Sequence, residues 1–307
     1  MLENVIETKD LSKQYGRFTA LDNVNIQVSR GEIYGLIGDN GAGKTTLLKL
    51  LTGQIYPSAG EMKMLGAYLP GELEVVRRRT GVLIESAGFY PQLNVEQNLE
   101  YYRLQKGVPG KAQVEKTLHM VGLLDKRKKR CRDLSMGMKQ RLGLAIALIG
   151  EPEILILDEP INGLDPSGII EMRQLLMKLN REKNITIILS SHILSELEQL
   201  ATVFGFLSQG KLLEQISCEQ LMDKCADYIE IAVSDAARYT VLLERTLGHS
   251  QYKVMPDETI HILNPARDID SYSGLAGENH LHIYRLSRKK MALEDYYVNL
   301  KNGGVRL

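Results

Sequence analysis

Eight residues near the amino terminus constrain this chain more than any others. Gly38-Asp39-Asn40-Gly41-Ala42-Gly43-Lys44-Thr45 satisfies G-x-x-x-x-G-K-[ST] at every fixed position. Glycines let the backbone curl with its N–H groups turned inward around an anion. A helix that starts from such a turn aims its positive end at the same anion. The mostly apolar run Glu32 to Ile37 precedes the loop, and Thr45 to Leu51, with helical character, follows it. The context is therefore strand, loop, helix. There Lys44 is expected to neutralise β- and γ-phosphates and Thr45 to offer its hydroxyl to Mg²⁺, with Thr46 beside it at the helix start.

The rest of the chain fits an alternation of buried strands and helices. Val24-Asn25-Ile26-Gln27-Val28 alternates with period two, which suggests an antiparallel strand with one exposed face. Helices are expected over 72–80, 94–122, 137–149 and 167–181. Buried strands are expected at Val82 to Ile84, Ile154 to Leu157 and Ile185 to Leu189. This predicts an α/β fold with a largely parallel sheet covered on both faces. After about residue 217 the pattern changes to β-α-β-β-α-β: strands at 227–233, 252–255, 259–263 and 281–286, helices at 236–247 and 268–277, and a last helix from Met291. Two domains follow: residues 1–216, and a small α+β domain over 217–307, ferredoxin-like in order.

Composition narrows the function classes. Lys plus Arg number 38 and Asp plus Glu number 38, a formal net charge of zero, so no electrostatic case exists for nucleic acid. Cys131, Cys218 and Cys225 follow no metal-ligand spacing and read as reduced thiols. No stretch reaches the roughly 18 apolar residues that cross a bilayer, and no signal segment opens the chain. A cytoplasmic protein is expected, held at a membrane, if at all, by another protein.

The second half of the site lies at Asp158-Glu159-Pro160, where an apolar strand ends. Acids there emerge at the carboxyl edge of the sheet, where such sheets bind ligands. Asp158 is expected to hold Mg²⁺, and Glu159 to orient and deprotonate the attacking water.

Leu134-Ser135-Met136-Gly137-Met138 precedes that acidic strand. Alone it could be only a helix N-cap. In its place between the other motifs it resembles the signature, usually L-S-G-G-Q, of ATP-binding cassette (ABC) ATPases. The resemblance covers roughly residues 3–215. Asn162-Gly163-Leu164-Asp165 resembles the D-loop of that family. Ser190-Ser191-His192 resembles the switch-histidine segment, and Tyr15, in Leu11-Ser12-Lys13-Gln14-Tyr15-Gly16, the aromatic that stacks on adenine. The resemblance implies a P-loop NTPase cassette with an antiparallel β subdomain and a helical subdomain. It also implies ATP and Mg²⁺ as cofactors, and a nucleotide shared between two chains. Gly38, Asp39, Asn40, Gly41, Ala42, Gly43, Lys44, Thr45, Thr46 and Tyr15 of one chain would face Ser135, Gly137 and Asp165 of another, with Lys44, Glu159 and His192 catalytic.

Two departures from the family pattern stand out. The signature carries Met136 and Met138 where Gly and Gln are usual, a change that backbone contacts survive. Glu85 stands where the family has the glutamine that touches Mg²⁺ and the permease; Gln92 is the weaker candidate. A carboxylate there can ligate the metal. Glu85, the L-S-M-G-M signature and the tail Leu293-Glu294-Asp295-Tyr296-Tyr297 resemble the bacitracin- and lantibiotic-immunity subgroup. That implies an ATPase at the inner face of the cell membrane, working as a dimer, with a separate transmembrane permease. Export of another drug, lipid or ion, or an ABC-type ATPase that moves no solute, remain open. Lys126-Arg127-Lys128-Lys129-Arg130-Cys131-Arg132 reads as a solvated loop, or as a contact with a permease or anionic lipid.

Overall fold

The computed structural model describes residues 3–85, 88–225, 227–290 and 293–302. Ser86 and Ala87, beside Glu85, and Met291, the expected start of the last helix, lie outside the described residues. The chain divides into two compact units, Met1–Cys218 and Glu219–Leu307.

The first unit opens with antiparallel strands β1 (Asn4–Tyr15), β2 (Phe18–Val24) and β3 (Gln27–Ser29). The alternation at 24–28 is real in burial but not one strand. The chain leaves β2 after Val24 and resumes at Gln27 in β3, paired on β1 in both cases. Thr8 bridges the break, donating to the Val24 carbonyl and accepting from the Ile26 amide, each at 2.9 Å.

The core then follows in order: β4 (Ile33–Ile37), α1 (Lys44–Leu51), β5 (Ala59–Met64), α2 (Pro70–Arg77), β6 (Thr80–Leu83), α3 (Val95–Gln105), α4 (Ala112–Met120), α5 (Met136–Leu148), β7 (Ile154–Asp158), α6 (Pro166–Lys183), β8 (Thr186–Ser191), α7 (Leu194–Glu198), β9 (Val203–Ser208) and β10 (Lys211–Ser217). The sheet order is β10-β9-β4-β8-β7-β6. All neighbours are parallel except the β9–β10 pair. Strands β4 and β8 are buried at every residue, as a sheet covered on both faces requires.

Two helical expectations need correction. The helix placed over 72–80 begins and ends earlier, because Thr80 already pairs with Ile154 in β6. The segment 94–122 is two helices. Pro109, without an N–H, and Gly107 and Gly110, at φ of 67° and 80°, break it between α3 and α4. Helix α3 is started by a reciprocal cap, Gln97 N–H donating to Asn94 Oδ1 at 2.8 Å and Asn94 N–H to Gln97 Oε1 at 3.0 Å. Strand β9, buried between β4 and β10, and the half-exposed edge strand β10 were not marked by the sequence pattern.

The second unit continues from α8 (Cys218–Lys224), which crosses the boundary, through β11 (Asp227–Val233), α9 (Ala236–Leu247), β12 (Tyr252–Val254), β13 (Ile260–Leu263), α10 (Ile269–Glu278) and β14 (Ile283–Lys290) to α11 (Leu293–Lys301). Its antiparallel sheet has the order β12-β13-β11-β14. Ile229, Ile231, Ile260 and Ile262 pack on Tyr239, Leu243, Tyr272 and Leu275 from α9 and α10. The last strand begins at Ile283, two residues later than the alternation suggested, and runs to Lys290.

Candidate functional site

The site assembles where the carboxyl ends of β4, β8 and β7 lie side by side. Strand register places Leu36 beside Ser190 and Ser190 beside Asp158. Those ends carry the glycine-rich loop, Ser190–His192 and Asp158–Glu159, so three distant stretches converge at one sheet edge.

The loop enters α1 through Gly43, at φ 107°. A Cβ there would lie 2.7 Å from the Ala20 carbonyl oxygen, so only glycine fits. Lys44 is 5% exposed. Its Nζ donates to the Gly38 and Asp39 carbonyls, at 2.7 and 3.1 Å, and lies 3.6 Å from Glu159 Oε1. A buried ammonium folded back on its own loop is positioned to exchange these oxygens for phosphate oxygens.

Thr45 Oγ1 donates to Asp158 Oδ2 at 2.8 Å, and Ser190 Oγ donates to Asp158 Oδ1 at 2.6 Å. The same serine oxygen accepts the Glu159 amide at 2.9 Å. A hydroxyl and a carboxylate meeting in this way form an all-oxygen donor set suited to Mg²⁺, which takes its remaining ligands from phosphate and water. Among the described residues no cluster of three or more His, Cys, Asp or Glu could hold a metal ion.

Glu159 sits at φ 45°, an uncommon conformation for a non-glycine residue. Its carboxylate is held by Asn162 Nδ2 at 2.9 Å and lies 3.1 Å from His192 Nδ1. Behind them, burial pushes the Glu196 carboxyl above the usual carboxylate range, offset by a hydrogen bond from Ser191 and by the nearby His192.

The signature residues face elsewhere. Ser135 caps α5, its Oγ accepting the Met138 amide at 3.4 Å. Ser135, Gly137, Gly163, Asp165 and Ser167 line a cavity of about 590 Å³ that includes none of the phosphate-loop residues. Thr45, Glu85, Asp158, Glu159 and Asn162 line a different one of about 420 Å³, reached from the signature segment only by Met136, Lys139 and Gln140. Asp165 caps α6, and hydrogen bonds from Ser167 and the Gly168 amide hold its carboxyl below the usual range.

Glu85 borders the phosphate-side cavity, at φ 62°, and its carboxylate is ion-paired with Lys49 Nζ at 2.5 Å. Tyr15 is half-exposed at the end of β1, with Lys13 Nζ 5.0 Å from its ring centroid. Asn40 and Gly41 are exposed, Ala42 is buried, and Thr46 is half-buried in the first turn of α1. In the basic run, Lys126, Lys128 and Arg132 pair with Asp125, Glu96 and Asp133. Sequence reasoning missed Lys49, and it named Asn162 and Ser190 only within their motifs, without the contacts they make to Glu159 and Asp158. Only Ser190 left a signal: a hydroxyl closing an otherwise apolar strand.

The family model described as "ABC transporter" matches residues 21–162. The chain is 41% identical to the bacitracin transport ATP-binding protein BcrA of Bacillus licheniformis, covering 99% of each. It is 41% identical to the lantibiotic transport ATP-binding protein SrtF of Streptococcus pyogenes, over 68% of this chain and 89% of that one. A solved ATP-binding subunit of an ABC transporter superposes with a TM-score of 0.63 at 31% identity, covering 72% of this chain and 92% of the other. A dimeric ATP-binding cassette in a post-hydrolysis state, bound to ADP and Pi, gives 0.63 at 25% identity, over 69% of this chain and 98% of that one.

Proposed function

Since the chain belongs to the ABC transporter family of ATP-binding cassettes and is one of its ATPases, we propose that it powers a separate transmembrane permease that expels bacitracin-type peptide antibiotics. Subunits of this kind pair with permeases and with a second cassette. No helix among the described residues is long and apolar enough to cross a membrane. A chain of this sort needs a partner at the inner face of the membrane to move a solute.

The observation that carries the reading is the separation of two half-sites. Thr45, Asp158 and Glu159 line one cavity, with Lys44 and His192 in contact with Glu159, and Ser135 and Gly137 open onto another. Each half lacks what the other offers. Two identical chains placed head to tail supply both, twice. The dimeric relative bound to ADP and Pi supports that arrangement.

Within one site, Lys44 holds phosphate oxygens while Glu159, steadied by Asn162, accepts the proton of the attacking water. His192 Nδ1 contacts the same carboxylate oxygen, Oε2, that Asn162 holds, and Oε1 lies toward Lys44. Mg²⁺, when bound, would neutralise charge on the β- and γ-phosphates; Thr45 and Asp158 are the residues that would hold it. Ser135 from the facing chain supplies a hydroxyl and the amides of the α5 start to the γ-phosphate. Tyr15 is the candidate adenine platform, and the D-loop segment ending at Asp165 passes between the chains. The small unit from about residue 217 is a separate domain in this reading.

The substrate class rests on likeness to the bacitracin and lantibiotic proteins over 99% and 68% of this chain. The test is ATP hydrolysis by the chain copurified with its permease in lipid vesicles. Bacitracin is expected to stimulate it several-fold, and a drug of unrelated chemistry is not. Equal rates with and without any peptide antibiotic would remove this substrate class and leave the ATPase intact.

A further inference from the structure

The loop that follows Glu85 and the loop that precedes Ser135 are tied to each other, and the knot is one buried asparagine. Asn98, on α3, is 0% exposed. Its Oδ1 accepts the Tyr90 amide at 2.7 Å. Its Nδ2 donates to the Tyr90 carbonyl at 3.0 Å, to the Asn94 carbonyl at 3.1 Å and to Cys131 Sγ at 3.1 Å. Both Tyr90 main-chain groups are thus held by one side chain, and the same amide reaches across to the segment that ends in Ser135.

Main-chain bonds reinforce this contact on both sides. Cys131 N–H donates to the Leu93 carbonyl and Arg132 N–H to the Pro91 carbonyl, each at 3.0 Å. Val95 N–H donates to the Lys129 carbonyl at 3.1 Å and Glu96 N–H to the Arg127 carbonyl at 3.0 Å. Further back, Tyr102 O–H donates to the Gly88 carbonyl at 2.5 Å. The basic run therefore lies along residues 91–96, and only Arg132 to Leu134 separate Cys131 from the α5 cap.

We infer that Asn98 is a positioning residue: through Cys131 it fixes Ser135 relative to the Glu85 loop, so that movement at one is transmitted to the other. The two Nδ2 hydrogens are shared among three acceptors, and a buried amide engaged at both its oxygen and its nitrogen tolerates little independent motion of its partners, because a group left unpaired costs its desolvation. This rests on the shared-site reading, in which Ser135 serves the nucleotide of the facing chain.

The test uses the full chain carrying Glu159→Gln, so that bound ATP is retained. Two quantities are read: affinity for a fluorescent ATP analogue, which reports the Lys44 half-site, and the ATP-induced dimerisation constant, which reports the Ser135 half-site. Asn98→Ala is expected to weaken dimerisation about tenfold or more with analogue affinity unchanged. Cys131→Val, which removes only the link toward Ser135, is expected to weaken it several-fold, and Cys131→Ser, which keeps an acceptor, to restore it. A purely structural role would instead lower the melting temperature and analogue affinity together, and that result overturns the inference. Unchanged dimerisation in Cys131→Val overturns it as well, even where Asn98→Ala fails to fold. Ser135→Ala in the same background separates the two readings. If it leaves the dimer intact, the shared site itself is wrong and the inference falls with it.

Discussion

Ser190 donates to Asp158 Oδ1 at 2.6 Å while accepting the backbone N–H of Glu159 at 2.9 Å. One hydroxyl at the end of β8 therefore sets the position of both acids at the end of β7. A hydrogen bond to a charged group contributes about 1.5–3 kcal/mol. Ser190→Ala is predicted to lower ATP hydrolysis by about 10- to 100-fold and to raise the Mg²⁺ concentration needed for half-maximal rate. Steady-state rates across a Mg²⁺ titration check this, and a wild-type titration curve would remove Ser190 from the site.

Glu159 is predicted to be the base. General-base catalysis contributes on the order of 10²- to 10⁴-fold. Glu159→Gln keeps the shape and the acceptor for Asn162 but loses the proton acceptor. Hydrolysis should fall within that range, and ATP-bound dimers should accumulate on size-exclusion chromatography. Wild-type turnover in this variant would assign the base elsewhere.

For Glu85 the prediction separates stability from coupling. Its pair with Lys49 is largely exposed on the Glu85 side, and exposed pairs contribute roughly 0–1 kcal/mol. Glu85→Ala should leave the melting temperature nearly unchanged while lowering permease-stimulated ATPase activity. Unchanged stimulated activity would mean that this position has no part in coupling.

Acid should loosen the small C-terminal unit through Glu230. A hydrogen bond from Lys289 at 2.6 Å and one from Arg285 at 3.3 Å hold its carboxyl below the usual range, against the cost of burial. A depressed acid binds its proton less readily when folded, so its stabilisation is present above the unfolded value of about 4.3 and is lost as pH falls through the folded one. Thermal melts of the full chain between pH 6 and 3 should show this unit's transition moving down in wild type and less steeply in Glu230→Gln. Parallel curves would exclude Glu230 as the source.

Much of the phosphate side was legible because its chemistry demands fixed residue types in a fixed order: Gly43 for a left-handed turn, Lys44 and Thr45 beside it, Asp158 at a strand end. Helix α9 was also legible, since Ala236 to Leu247 has a clear apolar stripe and Gly248 ends it in a left-handed conformation. Other features depend on partners far away in sequence. Thr80 looked helical because nothing local shows that β7 waits beside it. The pairing of Lys49 with Glu85, and of Asn98 with Cys131, spans 36 and 33 residues and leaves no periodic trace. Strand β10 was missed because an edge strand is half-exposed and alternates weakly.

In the proposed dimer Ser135 and Gly137 serve a nucleotide held by another chain, and complementation between two disabled variants is the decisive test. Lys44→Ala disables the phosphate half. Gly137→Asp places a negative charge at the signature half, where a Cβ meets only Leu164 at an ordinary 3.7 Å. Each variant alone should be inactive. Mixed together, they can form a dimer with one intact site, Lys44 from one chain and Gly137 from the other. ATP hydrolysis by the mixture is expected clearly above the sum of the two variants measured separately. A mixture as inactive as its parts would mean that the signature acts within its own chain and that no nucleotide is shared.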